Sequence, residues 1–189
     1  MIRLLTTTAV FAVGLLLAPA IYAQTSQPNV PSPAPAAAAK DTSQEDRTFV
    51  KEAAIGSMAE VELSKLAQKS ENADVKSFAD HMIRDHTTVN QELTAIATDL
   101  GVDMPKALDS EHERLREDVQ TLHGKAFDEQ YMHGMVEDHD KAVNLFQREE
   151  RSGHNAELKQ FAQKILPTLQ EHQKNALELS HKVSQAAAR

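Results

Sequence analysis

Glu60, His86, Asp138 and His172 are the residues of this sequence whose types and placing could do chemistry together. Two imidazoles and two carboxylates, in a chain with no Cys, form a nitrogen–oxygen ligand set suited to one Fe, Mn, Zn or Cu ion. Asp85, His139 and Glu171 adjoin three of the four and could orient them or add ligands. A metal-free reading stands beside this one: buried acids and imidazoles can hydrogen-bond one another and fix helix register. A third outcome is that the apolar seams are misdrawn. On the first two readings Glu60 and Asp138 need partners, because a lone buried carboxylate is costly.

The four residues stand out because each interrupts an apolar stripe once, near its middle. The stripes are Phe49, Ala53, Gly56, Glu60, Leu63, Ala67; then Val75, Ala79, Met82, His86, Val89, Leu93, Ile96, Leu100. A third is Tyr131, Met135, Asp138, Ala142, Leu145, and a fourth Leu158, Ala162, Ile165, Leu169, His172, Ala176, Leu179, Val183. Alternating steps of three and four residues are those of helices packed in a bundle.

Punctuation sets the helix limits. Thr42-x-x-Glu45 and Ser43-x-x-Asp46 offer caps for a helix over 44–70, and Gly101 stops a second over 73–100. Ser110-x-x-Glu113 caps a short helix over 110–122, closed by Gly124. A third long helix covers 126–151, and Asn155 caps a fourth over 156–184. Pro167 removes a backbone donor there and should kink the helix about one turn before His172. The expected fold is therefore all-α, a four-helix bundle with one short extra helix in the central connection.

Before the bundle, the apolar run Ala9–Ala20 behind Arg3 has the length of a signal-peptide core and is short for a membrane span. Residues 1–23 read as a signal peptide, cleaved after Ala20 or, preferably, Ala23. Residues 24–41 read as a disordered Pro/Ala-rich linker, and 42–185 as the bundle domain. The address is exported and periplasmic, with envelope association open, and the mature chain has no transmembrane span. A net charge of −8 argues against a nucleic-acid partner, which would require a basic footprint. No protein partner is specified, and a homo-oligomer is compatible with the sequence.

An internal repeat runs through the domain. Asn72-Ala-Asp-Val-Lys-Ser-Phe-Ala79 matches Asn155-Ala-Glu-Leu-Lys-Gln-Phe-Ala162, and Asp85-His86 corresponds to Glu171-His172. Two helical hairpins, each bringing one carboxylate and one acid–His pair, would meet about a pseudo-two-fold axis.

Activity is not legible at this level. The Glu-x-x-His di-iron pattern is missing, since Ile83 and Leu169 stand three residues before His86 and His172. No nucleophile triad or phosphate-binding loop is apparent, so no catalytic residue is assigned and the balance tilts away from an enzyme. His112, His123, His133, His154 and His181 fall off the seams or near helix ends and read as solvated. The Met residues read as core filling.

AEVELSKLA (59–67), DVKSFADHMIRDHTTVNQEL (74–93), LHGKAFDEQYMHGMVEDHDKAVNLF (122–146) and LKQFAQKILPTLQEHQKNA (158–176) resemble the bacterial domain-of-unknown-function family 4142. The resemblance covers 46–181. It implies a ferritin-like helical bundle and an exported protein, often labelled an outer-membrane protein although this sequence has no barrel strands. It places Glu60, Asp85-His86, Asp138-His139 and His172 at matching positions and assigns no activity. Three functions follow as expectations: an exported bundle binding a metal in its core, a non-enzymatic envelope or stress protein with a structural polar ring, or a metal-dependent oxidase or peroxide-handling enzyme.

Overall fold

The computed structural model describes residues 42–187; the expected leader and linker over 1–41 lie outside the described residues. Five helices occupy this stretch: α1 (Gln44–Ala67), α2 (Ala73–Leu100), α3 (Ser110–Thr121), α4 (Gly124–Ser152) and α5 (Ala156–Ala187). There is no strand among the described residues.

The caps explain the boundaries. Of the two motifs before α1, Ser43 and Asp46 form the capping box: Ser43 Oγ accepts from Asp46 N and Asp46 Oδ2 accepts from Ser43 N, both at 3.0 Å. Asp46 does more than cap. Its Oδ1 accepts from His154 N at 2.9 Å and Asn155 N at 3.3 Å, tying the start of α1 to the turn before α5. Asn155 Oδ1 then caps α5 through Glu157 N and Leu158 N.

Two expected boundaries differ. Asp109 rather than Ser110 caps α3, accepting from the Glu111 and His112 amides. Gly124 does not close α3; with φ +58° it opens α4, a left-handed conformation that a side chain would strain. Helix α5 runs on past Pro167 as one element, with the proline exposed on its outer side.

Helix α1 packs on α2 and α4, and α5 packs on α4 and α2, so the four long helices form a ring. The short α3 lies against α1 and α4. Residues 101–123 form the long connection that carries it. The start of α1, end of α2, end of α4 and start of α5 share one apolar cluster, so ring neighbours are antiparallel. That cluster holds an aromatic trio, with Phe49 centred 5.0 Å from Phe146 and 6.4 Å from Phe161. A second cluster at the other end is built on Leu63, Phe78, Tyr131, Met132, Met135 and Leu179. Fully burying each such side chain contributes about 1.5–3 kcal/mol. Together these two apolar blocks hold the bundle. Between them lies a buried polar layer: Glu60, His86, His139 and His172. No described helix is long and apolar enough to cross a membrane.

Candidate metal centre

Each long helix delivers one ionisable side chain to this layer. Glu60 on α1, His86 on α2 and His172 on α5 fall where their stripes put them, and all three are buried. On α4 the residue in the layer is His139, which is fully buried, rather than its neighbour Asp138. After Met135 the inner face of α4 steps by four to His139, then to Val143 and Phe146. Ala142 and Leu145, expected inside, are only half-buried.

The three imidazoles form a tight group. Their centroids are 5.5 Å apart for His86–His139, 5.4 Å for His86–His172 and 5.4 Å for His139–His172. One ring nitrogen from each lies within 4.8 Å of those of the other two.

Hydrogen bonds assign the nitrogens. His139 Nδ1 is 2.8 Å from the Met135 carbonyl, which can only accept, so Nδ1 carries the hydrogen. His86 Nδ1 is 2.8 Å from Glu60 Oε2, and His172 Nε2 is 2.9 Å from Asp85 Oδ2. Carboxylate acceptors fix those hydrogens in the same way. What is left is His86 Nε2, His139 Nε2 and His172 Nδ1, all buried and without a hydrogen-bond partner. Neutral rings present three unsatisfied lone pairs; a protonated ring would present an unsatisfied N–H instead.

Glu60 is the charged member. Its other oxygen, Oε1, lies 3.3 Å from His139 Nδ1, which is already bonded to Met135. Burial pushes its carboxyl upward, but the His86 and His139 rings and the His86 hydrogen bond outweigh it and hold the group at about 2. Burial, reinforced by the neighbouring His86 and His139, pushes His172 down to about 4, so its ring is neutral near pH 7. Ser57 Oγ, 3.2 Å from His86 Nδ1, donates to the His86 carbonyl at 3.1 Å and braces α1 on α2.

Asp138 and Glu171 are not brought to the group. Asp138 is buried on the flank of α4 beneath α3, its Oδ1 3.6 Å from both His112 Nε2 and Lys141 Nζ. Glu171 is exposed. Asp85, half-exposed, does orient an imidazole, but its partner is His172 across the bundle rather than adjacent His86. Nor is His112 a solvated surface residue. Its side chain is 11% exposed, lies 2.7 Å from Asp109 Oδ1 and is pushed up to about 9, first by Asp138 and against its own burial. The Met expectation holds for Met82, Met132 and Met135, which are buried in the second apolar cluster.

The geometry can be set beside known proteins. Residues 31–179 match the profile of a family described as "Domain of unknown function (DUF4142)". No curated protein matches the chain. Among solved structures it is similar to a DUF305 fragment from Deinococcus radiodurans, with TM-score 0.66 and 15% identity over 75% of this chain and 98% of that one. At that identity the likeness speaks for the fold alone.

Proposed function

The chain belongs to the DUF4142 family, a domain of unknown function, and from that premise we propose that it is an exported helical-bundle protein that binds one divalent transition-metal ion through His86, His139 and His172. One observation carries this reading: in a group where one nitrogen of each ring lies within 4.8 Å of those of the other two, each ring keeps one buried nitrogen without a partner while its second is committed to an oxygen acceptor. Imidazole ligands in metalloproteins are held in the same manner, with the distal N–H given to a carboxylate or carbonyl. Charge supports it as well. Glu60 and Asp85, bonded to two of the rings, offset the two positive charges of the ion. An all-imidazole set suits Zn, Cu, Ni or Fe ahead of Mn, which favours oxygen. A tetrahedral ion with bonds near 2.0–2.1 Å would hold the nitrogens roughly 3.4 Å apart, against a spread of up to 4.8 Å here. Export rests on the leader expected over residues 1–23.

A second reading keeps the layer structural, and the Glu60–His86 pair favours it. One protonated ring donating to a trapped water, which donates to the other two lone pairs, would satisfy all three nitrogens.

Metal analysis separates the two. The full chain is stripped with chelator, reconstituted with Zn²⁺ or Co²⁺ and freed of excess ion. One ion per chain is expected, with a raised melting temperature by binding linkage, and both lost in His139→Ala and His172→Ala. Sub-stoichiometric metal with unchanged melting would sink the metal reading.

A further inference from the structure

We infer that the three-imidazole centre is an open one, whose fourth coordination position takes a small exogenous donor arriving through the cavity between α1, α3 and α4. This deepens the metal reading above and rests on it. Sites that serve only to staple a fold surround zinc with four protein ligands, whereas sites that exchange ligands supply three and leave one corner free. Among the described residues, no fourth ligating side chain groups with the three imidazoles. Glu60 is engaged through Oε2 on His86 Nδ1 and Asp85 on His172 Nε2, and neither bonds to one of the unpartnered ring nitrogens. Asp138, the remaining buried carboxylate nearby, faces His112 and Lys141 instead.

Next to the layer the bundle is not solid. A cavity of about 480 Å³ runs inward from the surface, and its deep wall includes Ser57, Glu60 and His86. It continues to Val89 of α2 and Leu169 of α5, and it meets the three-imidazole group at His86. Those inner apolar walls, with Phe146, offer no donor atom, and the fourth ligand must come from solvent. At the mouth, His112 and Lys141 stand among Asp109, Glu111 and Asp138. Mixed charge there gives no basis for selecting a polyanion or a polycation. The chemistry that fits is a small monodentate oxygen or nitrogen donor, of the size of water, peroxide or azide.

Gly56 is the handle for a test. It lines the cavity one turn before Glu60, and a Cβ built on it meets nothing within 4 Å. The backbone therefore accepts a Cβ here, so Gly56→Leu is the variant to narrow the passage, and Gly56→Ala serves as its mild control. The full chain and both variants are loaded with Co²⁺, and azide is titrated while the visible cobalt bands are followed. The expected result is a saturable band shift in the parent chain and in Gly56→Ala. Gly56→Leu should show the same metal content and starting spectrum, with azide binding at least tenfold weaker or slower. A parent chain that holds one Co²⁺ yet shows no azide response overturns the open-site inference while leaving metal binding intact. Equal responses in the parent chain and Gly56→Leu overturn the cavity as the route. Failure to retain Co²⁺, or retention unaffected by His86→Ala, overturns the metal reading itself.

Discussion

Glu60 Oε2 lies 2.8 Å from His86 Nδ1 in a layer with apolar side chains above and below it. Neither partner is suited to that environment alone. The buried carboxylate needs a hydrogen-bond donor, and the ring needs an acceptor that fixes its hydrogen on Nδ1 and leaves Nε2 free to ligate. Their pairing therefore turns an awkward buried acid into a device that aims an imidazole.

Glu60→Gln should keep the fold's shape and lose the aim. An amide removes the negative charge, and as a hydrogen-bond partner it holds the His86 tautomer less strongly. Metal affinity should fall by about 10–100-fold, the usual range for such orienting partners. Isothermal titration with Zn²⁺ on the parent and variant chains measures this, and unchanged affinity would mean that Glu60 does not orient the ring.

How much of this was legible beforehand depends on whether the signal was local. Ser43, Asn155 and Gly101 act on amides and carbonyls a few residues away, so their roles could be read from spacing. The stripes of α1, α2 and α5 put Glu60, His86 and His172 on inner faces, and all three are buried. On α4 both candidate faces are apolar: Tyr131, Ala142 and Leu145 flank Asp138, while Met132, Val143 and Phe146 flank His139. Only side-chain bulk on the second face could have tipped the choice. The role of Asp138 depends on α3 folding back over it, a contact with His112 far off in sequence. The same distance hid the Asp85–His172 bond.

Acid should release the metal. His172 is pushed down to about 4 by burial and by its neighbours, whereas the unfolded ring has its ordinary value of 6.5. A lowered folded value means that this group's contribution to stability is full above about 6.5 and is lost as pH falls through 4. Metal competes with protons for the same ring nitrogens, so affinity should decline progressively on acidification. Zn²⁺ affinity that is flat between pH 7.5 and 4 would count against imidazole ligation.

Glu149 should act in the opposite sense. Burial first, and then the neighbouring Asp46 carboxylate, push it up to about 7 from 4.5. The folded chain holds this proton more tightly than the unfolded chain. Its contribution is therefore full below about pH 4.5 and gone as pH rises through 7. Glu149→Gln mimics the protonated acid. Thermal melts should show it more stable than the parent chain at pH 8, by a few degrees, and indistinguishable at pH 4.5. A variant destabilised at pH 8 would contradict this assignment.

Asp46→Ala should be among the more damaging single changes outside the apolar blocks. The fully buried side chain caps α1 and accepts from the His154 and Asn155 amides at the start of α5. Removing it takes the acceptor from the part-buried Ser43, His154 and Asn155 amides, at about 1–3 kcal/mol with the lost cap included. Urea unfolding should show a lower midpoint with an unchanged slope, since the surface exposed on unfolding is the same.

The neighbouring pair Asp138 and His139 offers the sharpest contrast. If His139 is the α4 ligand, His139→Ala should weaken metal binding by more than about a hundredfold, since one of only three imidazoles is lost. Asp138→Asn should change affinity by no more than a few fold, because its carboxylate faces α3 rather than the centre. That variant should register elsewhere. His112 is held at about 9 chiefly by Asp138, and removing the charge should bring it back toward 6.5, followed by NMR titration of the ring. A raised folded value contributes stability below about 6.5 that is lost as pH passes 9. Asp138→Asn should therefore destabilise the chain at pH 6 and have little effect at pH 10. The reverse pattern, with metal lost in Asp138→Asn and kept in His139→Ala, would restore Asp138 to the centre and displace the three-imidazole arrangement altogether.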